Sequence, residues 1–441
     1  MRWLFLLVII TCSFIPFSSK AGNDWKSITE DPSYIHRTMK EVTDVIVHDI
    51  YSPPVASRIY AYVSIAGYEA AISSNKNYYS FASQLHGLTE LPKPDPSKQY
   101  SAGLSAVYAM LTIAKALIIS EDTIQNFHNK LLGEYKNSGI PQTVYDYSLA
   151  YGKQIADAIL AWAAKDNYKE TRALGKYAVL DDSITWKPTP PAYIAAIEPY
   201  WGRMRTFVLD SVKNFKPLPA LPFSTDTGSA FYKEAKAVYD IGNNLTGEQK
   251  FIASFWDCNP FKMNVDGHVM YATKKISPGG HWINITAVAC KKTHADFAKS
   301  AEAYACVSIT LADAFISCWD EKYRSIVLRP ETYINNYMDQ SWMPLLQTPP
   351  FPEYTSGHSV ISAASAIILT KIFGDNFSYT DSTETEFELE PRSFTSFNQA
   401  AEEAAVSRFY GGIHYNAAIV NGITEGRKIG NYVLKNIKME K

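Results

Sequence analysis

The chain has 441 residues, 46% of them hydrophobic and 20% charged, and its 42 basic and 44 acidic side chains give a formal charge of −2. No basic excess points to nucleic acid, and 29 Tyr, 21 Phe and 9 Trp exclude a disordered polar chain. The length allows two or three domains, or one large one, with a core that needs no disulfide or metal staple.

In chain order, Met1-Arg2 is followed by an apolar run from Trp3 to Phe17, broken only by Thr11, Ser13 and Pro16, and then by Ser19-Lys20-Ala21. This is the pattern of a signal peptide over residues 1–21, cut after Ala21, and it predicts export to the periplasm or the cell exterior. The run is short for a helix that must cross a bilayer, and no membrane span is expected after cleavage. A helix is expected from Val55, after Pro53-Pro54, to about Ile72, then others over Ala102–Ile119 and Thr143–Lys165. Pro188, Pro190, Pro191 and Lys216-Pro217-Leu218-Pro219 mark loops. A second helical series is expected at Thr246–Phe255, His281–Lys292, Ala295–Trp319, Ser359–Phe373, Thr395–Tyr410 and Ala417–Lys435. Strand alternation is scarce, so the fold class read here is all-α, as packed helical bundles. The loop near Pro217–Asp226 divides an N-terminal helical region, 22–225, from a C-terminal helical domain, 226–441. The acidic stretch from Ser378 to Arg392 is read as a solvated loop, with a lid over a nearby site as the alternative.

Of the four cysteines after the leader, Cys258, Cys290, Cys306 and Cys318, three pairings are open. Cys306 and Cys318 cannot pair if one helix carries both, because 12 residues of helix separate them by about 18 Å. No C-x-x-C, H-E-x-x-H, G-x-S-x-G or Walker loop is present.

Three short clusters carry unusual chemistry. Lys322 is followed after six residues by Arg329-Pro330. Ser356-Gly357-His358 leads into the apolar stretch Val360–Phe373. Ser407-Arg408 is followed after five residues by His414. Together they supply three cations, two imidazoles, a hydroxyl and a glycine N–H, with no aspartate among them. That inventory suits a tetrahedral oxyanion such as phosphate, sulfate or vanadate. Ser356 falls at a helix N-cap, where free N–H groups and the positive end of the helix dipole face an anion, and Gly357 has no Cβ to hold the anion off.

These clusters resemble the three-part signature shared by vanadium-dependent haloperoxidases and the type 2 phosphatidic acid phosphatase superfamily: K-x6-R-P, then P-S-G-H, then S-R-x5-H. Nine matched residues in the right order make a chance match about one in a million. The resemblance runs from about Cys318 to Gly430 and implies an oxyanion site between helices of the C-terminal half. It implies that Lys322, Arg329 and Arg408 hold equatorial oxygens, that Ser356 and Gly357 add hydrogen bonds, and that His358 is the general acid–base. His414 would be the ligand of the metal in a peroxidase or the nucleophile on phosphorus in a phosphatase. Trp319 and Phe351 resemble the aromatic border of a halide pocket, and the run Thr348–Pro352 is similar to haloperoxidases. The segments Ser52–Arg58, Phe255-Trp256-Asp257 and Pro278–Trp282 are similar to bacterial haloperoxidase-like proteins. In them Asp257 is a candidate partner of an arginine, and His281 reads as structural.

Two departures stand out. Thr355 replaces the usual Pro, and Ala418 stands where the family has the Asp that fixes the tautomer of the last histidine; either another group takes that role or His414 is a poorer ligand or nucleophile, and a weakly active wild type is expected, with a gain on Ala418→Asp provided the new carboxylate reaches the ring. The implied activity is halide oxidation by hydrogen peroxide at a His-bound vanadate. The alternatives are an exported acid phosphatase acting on a phosphoester through a phosphohistidine, and a non-catalytic oxyanion-binding protein. The sequence names neither the halide nor the oligomeric state.

Overall fold

The centre of the molecule is a helix that is buried on nearly every side. Phe297–Ser325 is buried almost continuously from Ser300 to Lys322, and a helix with so little exposed face must be enclosed by others. Asp296 caps it, accepting the Lys299 N–H at 2.8 Å. Its length and composition would also suit a bilayer, but its apolar window lies wholly inside the bundle. This computed structural model describes residues 24–73 and 75–441; the leader read at residues 1–21 lies outside the described residues.

The N-terminal helix Pro53–Ile72 packs along the central helix on one side and the helix Gly357–Phe373 on the other. One hydrophobic cluster runs from Trp25 through both halves to Ile437. Buried Asp313, on the central helix, ties the two halves further: its carboxylate accepts the N–H groups of Phe207, Val208 and Leu209 at 2.6, 2.8 and 3.0 Å. Burial lifts its pKa to about 6 even against those three donors. Arg58, in the segment similar to haloperoxidases, is structural here. It pairs with buried Asp166 at 2.6 Å and lies over the Tyr168 ring.

The contact that shapes the site is between Gly357–Phe373 and Asn416–Asn436. Gly422, Gly426 and Gly430 recur every fourth residue and so share one face. A Cβ on Gly426 would lie 2.1 Å from the Val360 carbonyl oxygen, and one on Gly430 2.9 Å from that of Ala364. Only glycine lets the two backbones come so close, and this approach brings the start of the first helix beside the start of the second.

The expected all-α architecture is what the described residues show, with two small additions. Lys262–Asp266 pairs antiparallel with Val269–Thr273, and Tyr379–Asp381 with Arg392–Phe394. Several helices extend the expected set, among them Ser33–His48, Glu121–Asn137, Ala230–Asn243 and Pro330–Tyr337. The four cysteines among the described residues are free and buried, and Cys306 and Cys318 do share the central helix.

Candidate active site

The three sequence clusters sit at helix ends that converge. Lys322 is in the last turn of the central helix and Arg408 in the last turn of Phe397–Tyr410, where the helix dipole favours a cation. Arg329 is the N-cap residue of Pro330–Tyr337, and Ser356 that of Gly357–Phe373, its hydroxyl accepting the Ser359 N–H at 3.3 Å. His414 lies in the short turn before Asn416–Asn436. Gly412 makes that turn at φ +76°, with Pro344 and Trp342 within 3.2 Å of where a Cβ would be.

Gly357, His358, Arg408 and His414 line one cavity of about 270 Å³. Tyr51, Pro53, Ile194 and Ile197 from the N-terminal half close it, with Phe315, Trp319 and Phe351. A Cβ at Gly357 would meet no protein atom nearer than the Trp319 ring at 3.7 Å, so packing does not demand the glycine. It keeps the backbone open toward the cavity. The Trp319 and Phe351 rings are 4.9 Å apart, and Trp319 is pinned by an Nε1–H bond to the Ile197 carbonyl.

The cations are held by backbone rather than by acids. Arg329 donates from Nε to the Phe351 carbonyl and from Nη1 to that of Ile413, both at 2.9 Å, and Arg408 donates from Nη1 to the Trp256 carbonyl at 2.9 Å. The Lys322 ammonium donates to the carbonyls of Pro352, Glu353 and Thr355. Its protons are thus committed to the loop that carries Ser356, so it shapes that loop and adds charge. Burial, with Arg329 nearby, lowers Lys322 to about 8; burial and Arg408 lower Arg329 to about 10. Left over are buried nitrogens with no protein partner: Arg329 Nη2, Arg408 Nε and His358 Nε2. Burying such groups costs free energy unless something pairs with them. A small oxyanion with several acceptor oxygens meets that need, so the residues fit vanadate or phosphate.

Both imidazoles are held neutral. His414 lies well below its ordinary pKa through burial and the charges of Arg329, Lys322 and Arg408, and His358 does so through burial and Arg408. The tautomer of His414 follows from its neighbours. Arg329 Nη1 lies 3.1 Å from His414 Nε2 and can only donate, so Nε2 is the acceptor and Nδ1 carries the proton. Nδ1 faces Glu353 Oε1 at 2.8 Å, and the same oxygen takes the Tyr415 N–H at 2.9 Å.

Glu353 therefore does what the sequence reading assigned to an absent acid at position 418. That expectation is corrected: the carboxylate arrives from the loop before Ser356 instead of the helix after His414. Ala418 is fully buried and its carbonyl accepts the Ser356 N–H at 3.1 Å. Ala418→Asp would bury an additional acid there, so a loss of stability replaces the expected gain. Glu353 did leave a signal, as the single charged side chain between Asp339 and Lys371. Burial raises it to about 7 against the pull of Arg329 and Lys322.

Asp257 is buried and attracts Arg408 electrostatically, as the sequence suggested. His281 is not part of the oxyanion pocket. It lies among Cys258, Asp381 and Glu384. The acidic stretch 378–392 is no lid over the cavity, to whose lining it contributes nothing among the described residues. Asp381 and Glu384 are fully buried and turn inward to His281.

The family model described as the VCPO second helical-bundle domain matches residues 302–440. No curated protein matches the chain. Among solved structures, the first bacterial vanadium-dependent iodoperoxidase is 49% identical at a TM-score of 0.89, over 93% of this chain and 98% of that one. The holo and apo forms of a bacterial vanadium-dependent chloroperoxidase are both 14% identical, at TM-scores of 0.67 and 0.64. Each comparison covers 88% of this chain, with 93% and 95% of theirs, and shows the shared fold. Identity near one half, sustained over nearly the whole of both chains, places the protein by descent: it belongs to the vanadium-dependent haloperoxidase family.

Proposed function

We propose that the protein oxidises iodide with hydrogen peroxide, using vanadate held at Arg329, Ser356, Gly357, Arg408 and His414. The observation that carries this reading is the pair of unpartnered buried donors, Arg329 Nη2 and Arg408 Nε, together with the unpartnered Nε2 of His358 and the neutral His414 ring. The choice of iodide rests on the similarity to an iodoperoxidase. Kinship does not favour the phosphatase or the purely binding alternative.

When bound, vanadate supplies a Lewis-acid centre that makes a peroxide oxygen electrophilic. The chain's own residues do the rest. Glu353 holds the Nδ1 proton of His414 in place, which keeps the lone pair on Nε2, where a ligand would displace the Arg329 Nη1 contact. Arg329 and Arg408 offer N–H groups to oxyanion oxygens, and Lys322 adds a positive field while holding the loop of residues 352–355. His358, neutral and with Nε2 unpartnered, would accept the proton that hydrogen peroxide gives up and could return it. Trp319, Phe351 and Phe315 keep water from the anion pocket, which suits a large, weakly hydrated halide.

The leader over residues 1–21 supports export as part of the same proposal. The test is to load the purified protein with vanadate and assay iodide, bromide and chloride oxidation beside phosphomonoester hydrolysis. Iodide turnover that depends on both vanadate and peroxide is expected. Phosphoester turnover through His414, with no halide oxidised at verified vanadium content, would refute it.

A further inference from the structure

A second cluster of chemistry-bearing side chains lies outside the oxyanion pocket, and the proposed reaction does not use it. Cys258 follows the helix Gly247–Phe255, His281 is in the first turn of Pro278–Thr293, and Glu384 comes from the acidic segment between the two short strands. Three separate parts of the chain thus deliver a thiol, an imidazole and a carboxylate to one buried point, with potential ligand atoms all within 4.8 Å of one another.

We propose that Cys258 Sγ, His281 Nδ1 and a Glu384 carboxylate oxygen form a binding site for one borderline-soft divalent cation, zinc above all. The distances fit. Ligand bonds of about 2.0 to 2.3 Å in a tetrahedral site put neighbouring donor atoms about 3.3 to 3.8 Å apart. Here Nδ1 lies 3.4 Å from Cys258 Sγ and 3.2 Å from Glu384 Oε1. The ring is oriented as a metal-bound histidine is: its other nitrogen, Nε2, meets Asp381 Oδ2 and Thr383 Oγ1, each at 2.7 Å, which turns Nδ1 toward the other two donors. Glu384 is the independent pointer. It is fully buried and neither carboxylate oxygen has a hydrogen-bond partner, although a buried carboxylate demands compensation. The donor set, one soft sulfur with one imidazole and one carboxylate, selects zinc-class ions over calcium or magnesium.

Binding would displace the thiol proton of Cys258 and any proton on Nδ1 of His281, leaving Asp381 as the acceptor behind the ring. Cys258 also lines the oxyanion cavity, which gives a small ion a way in. Its neighbour Trp256 provides the carbonyl that anchors Arg408, so the bound ion would steady one wall of the oxyanion pocket.

The test uses the full chain, purified without a metal resin, incubated with zinc alone and dialysed, with each element counted by mass spectrometry. About one zinc per chain is expected. Cys258→Ala and Glu384→Gln should each lower that by about tenfold or more, while the equally buried Cys290→Ala keeps it. Cobalt in place of zinc should give a thiolate-to-cobalt absorption band that Cys258→Ala abolishes. Sub-stoichiometric zinc in the wild type, or full zinc in Cys258→Ala, overturns the proposal. If the variants do not fold, wild-type stoichiometry and the presence or absence of the cobalt band decide. Vanadium is counted separately, so a failure of this site and a failure of the vanadate reading are distinguishable.

Discussion

Two buried imidazole sites share the segment Trp256–Cys258 and have opposite polarity. In the oxyanion pocket, His414 and His358 are surrounded by Lys322, Arg329 and Arg408, and both fall well below their ordinary pKa. In the neighbouring cluster His281 faces carboxylates, and Asp381 and Cys258 raise it well above its ordinary value although burial works the other way. The same side chain is thus a neutral base in one place and a natural holder of positive charge in the other. The difference teaches that burial alone does not set the state of a histidine; the sign of the charges around it does. An anion completes the first site, and a proton or a cation completes the second.

The largest expected effect tests the anionic side. His281→Ala leaves Asp381 and Glu384 buried without the group between them, and breaking such a site costs about 3 to 5 kcal/mol. Chemical denaturation of the two proteins measures this. His358→Gln in the cationic pocket, where the ring is neutral, should change stability by no more than about 1 kcal/mol. If the two variants lose equal stability, the contrast between the sites is wrong.

The next effect is on anion affinity. Arg408→Ala removes charge-assisted bonds in a buried site and should weaken vanadate binding by about 3 kcal/mol, more than a hundredfold in Kd. Calorimetric titration with vanadate gives the value, and unchanged affinity would mean that the pocket is assigned wrongly. Glu353→Ala should cost about ten- to a hundredfold in the same titration, the usual range for a partner that orients a ligating histidine. Glu353→Gln should cost less, because its carbonyl oxygen can still accept the Nδ1 proton and the Tyr415 N–H.

Much of the cationic site was legible in the sequence and little of the anionic one, for a physical reason. Lys322, Arg329, Ser356, Gly357, Arg408 and His414 lie at fixed short spacings because each cluster sits at a helix start or spans the short turn between two helices, and such turns are local. Glu353, Asp381 and Glu384 have no such spacing. Acids are common on surfaces, and what turns these three inward is contact with residues far along the chain: Glu353 with His414, Asp381 and Glu384 with His281. The fold followed the same division. Apolar helices such as Ala102–Leu117 and Gly357–Phe373 announced themselves by composition. Ser33–His48 hides its apolar face, with Ile35, Met39, Val42 and Ile46, among charges, and shows only by its period. The recurrence of Gly422, Gly426 and Gly430 was visible, but its meaning needed the partner backbone at Val360 and Ala364.

The smallest effect is the sharpest test of the electrostatic contrast, because it follows from two groups shifted toward each other. In the anion-free protein burial lifts Glu353 to about 7 and lowers Lys322 to about 8. Vanadate binding is strongest with Glu353 ionised, because the carboxylate then holds the Nδ1 proton most firmly and makes the Nε2 lone pair of His414 more basic. As pH falls through 7, Glu353 takes up a proton and loses the charge that strengthens the Nδ1–H bond and makes Nε2 the better ligand, so affinity falls on the acid side. Binding also draws on the charge of Lys322. As pH rises through 8 the ammonium gives up its proton, the field weakens and the carbonyls of residues 352, 353 and 355 lose donors, so affinity falls on the alkaline side. Affinity should therefore peak between about 7 and 8 and drop by up to about tenfold per pH unit outside that window, once the anion's own ionisation is subtracted. Glu353→Gln should flatten the acid limb and keep the alkaline one. An acid limb that survives in Glu353→Gln would show that another group, and not this carboxylate, sets the state of His414.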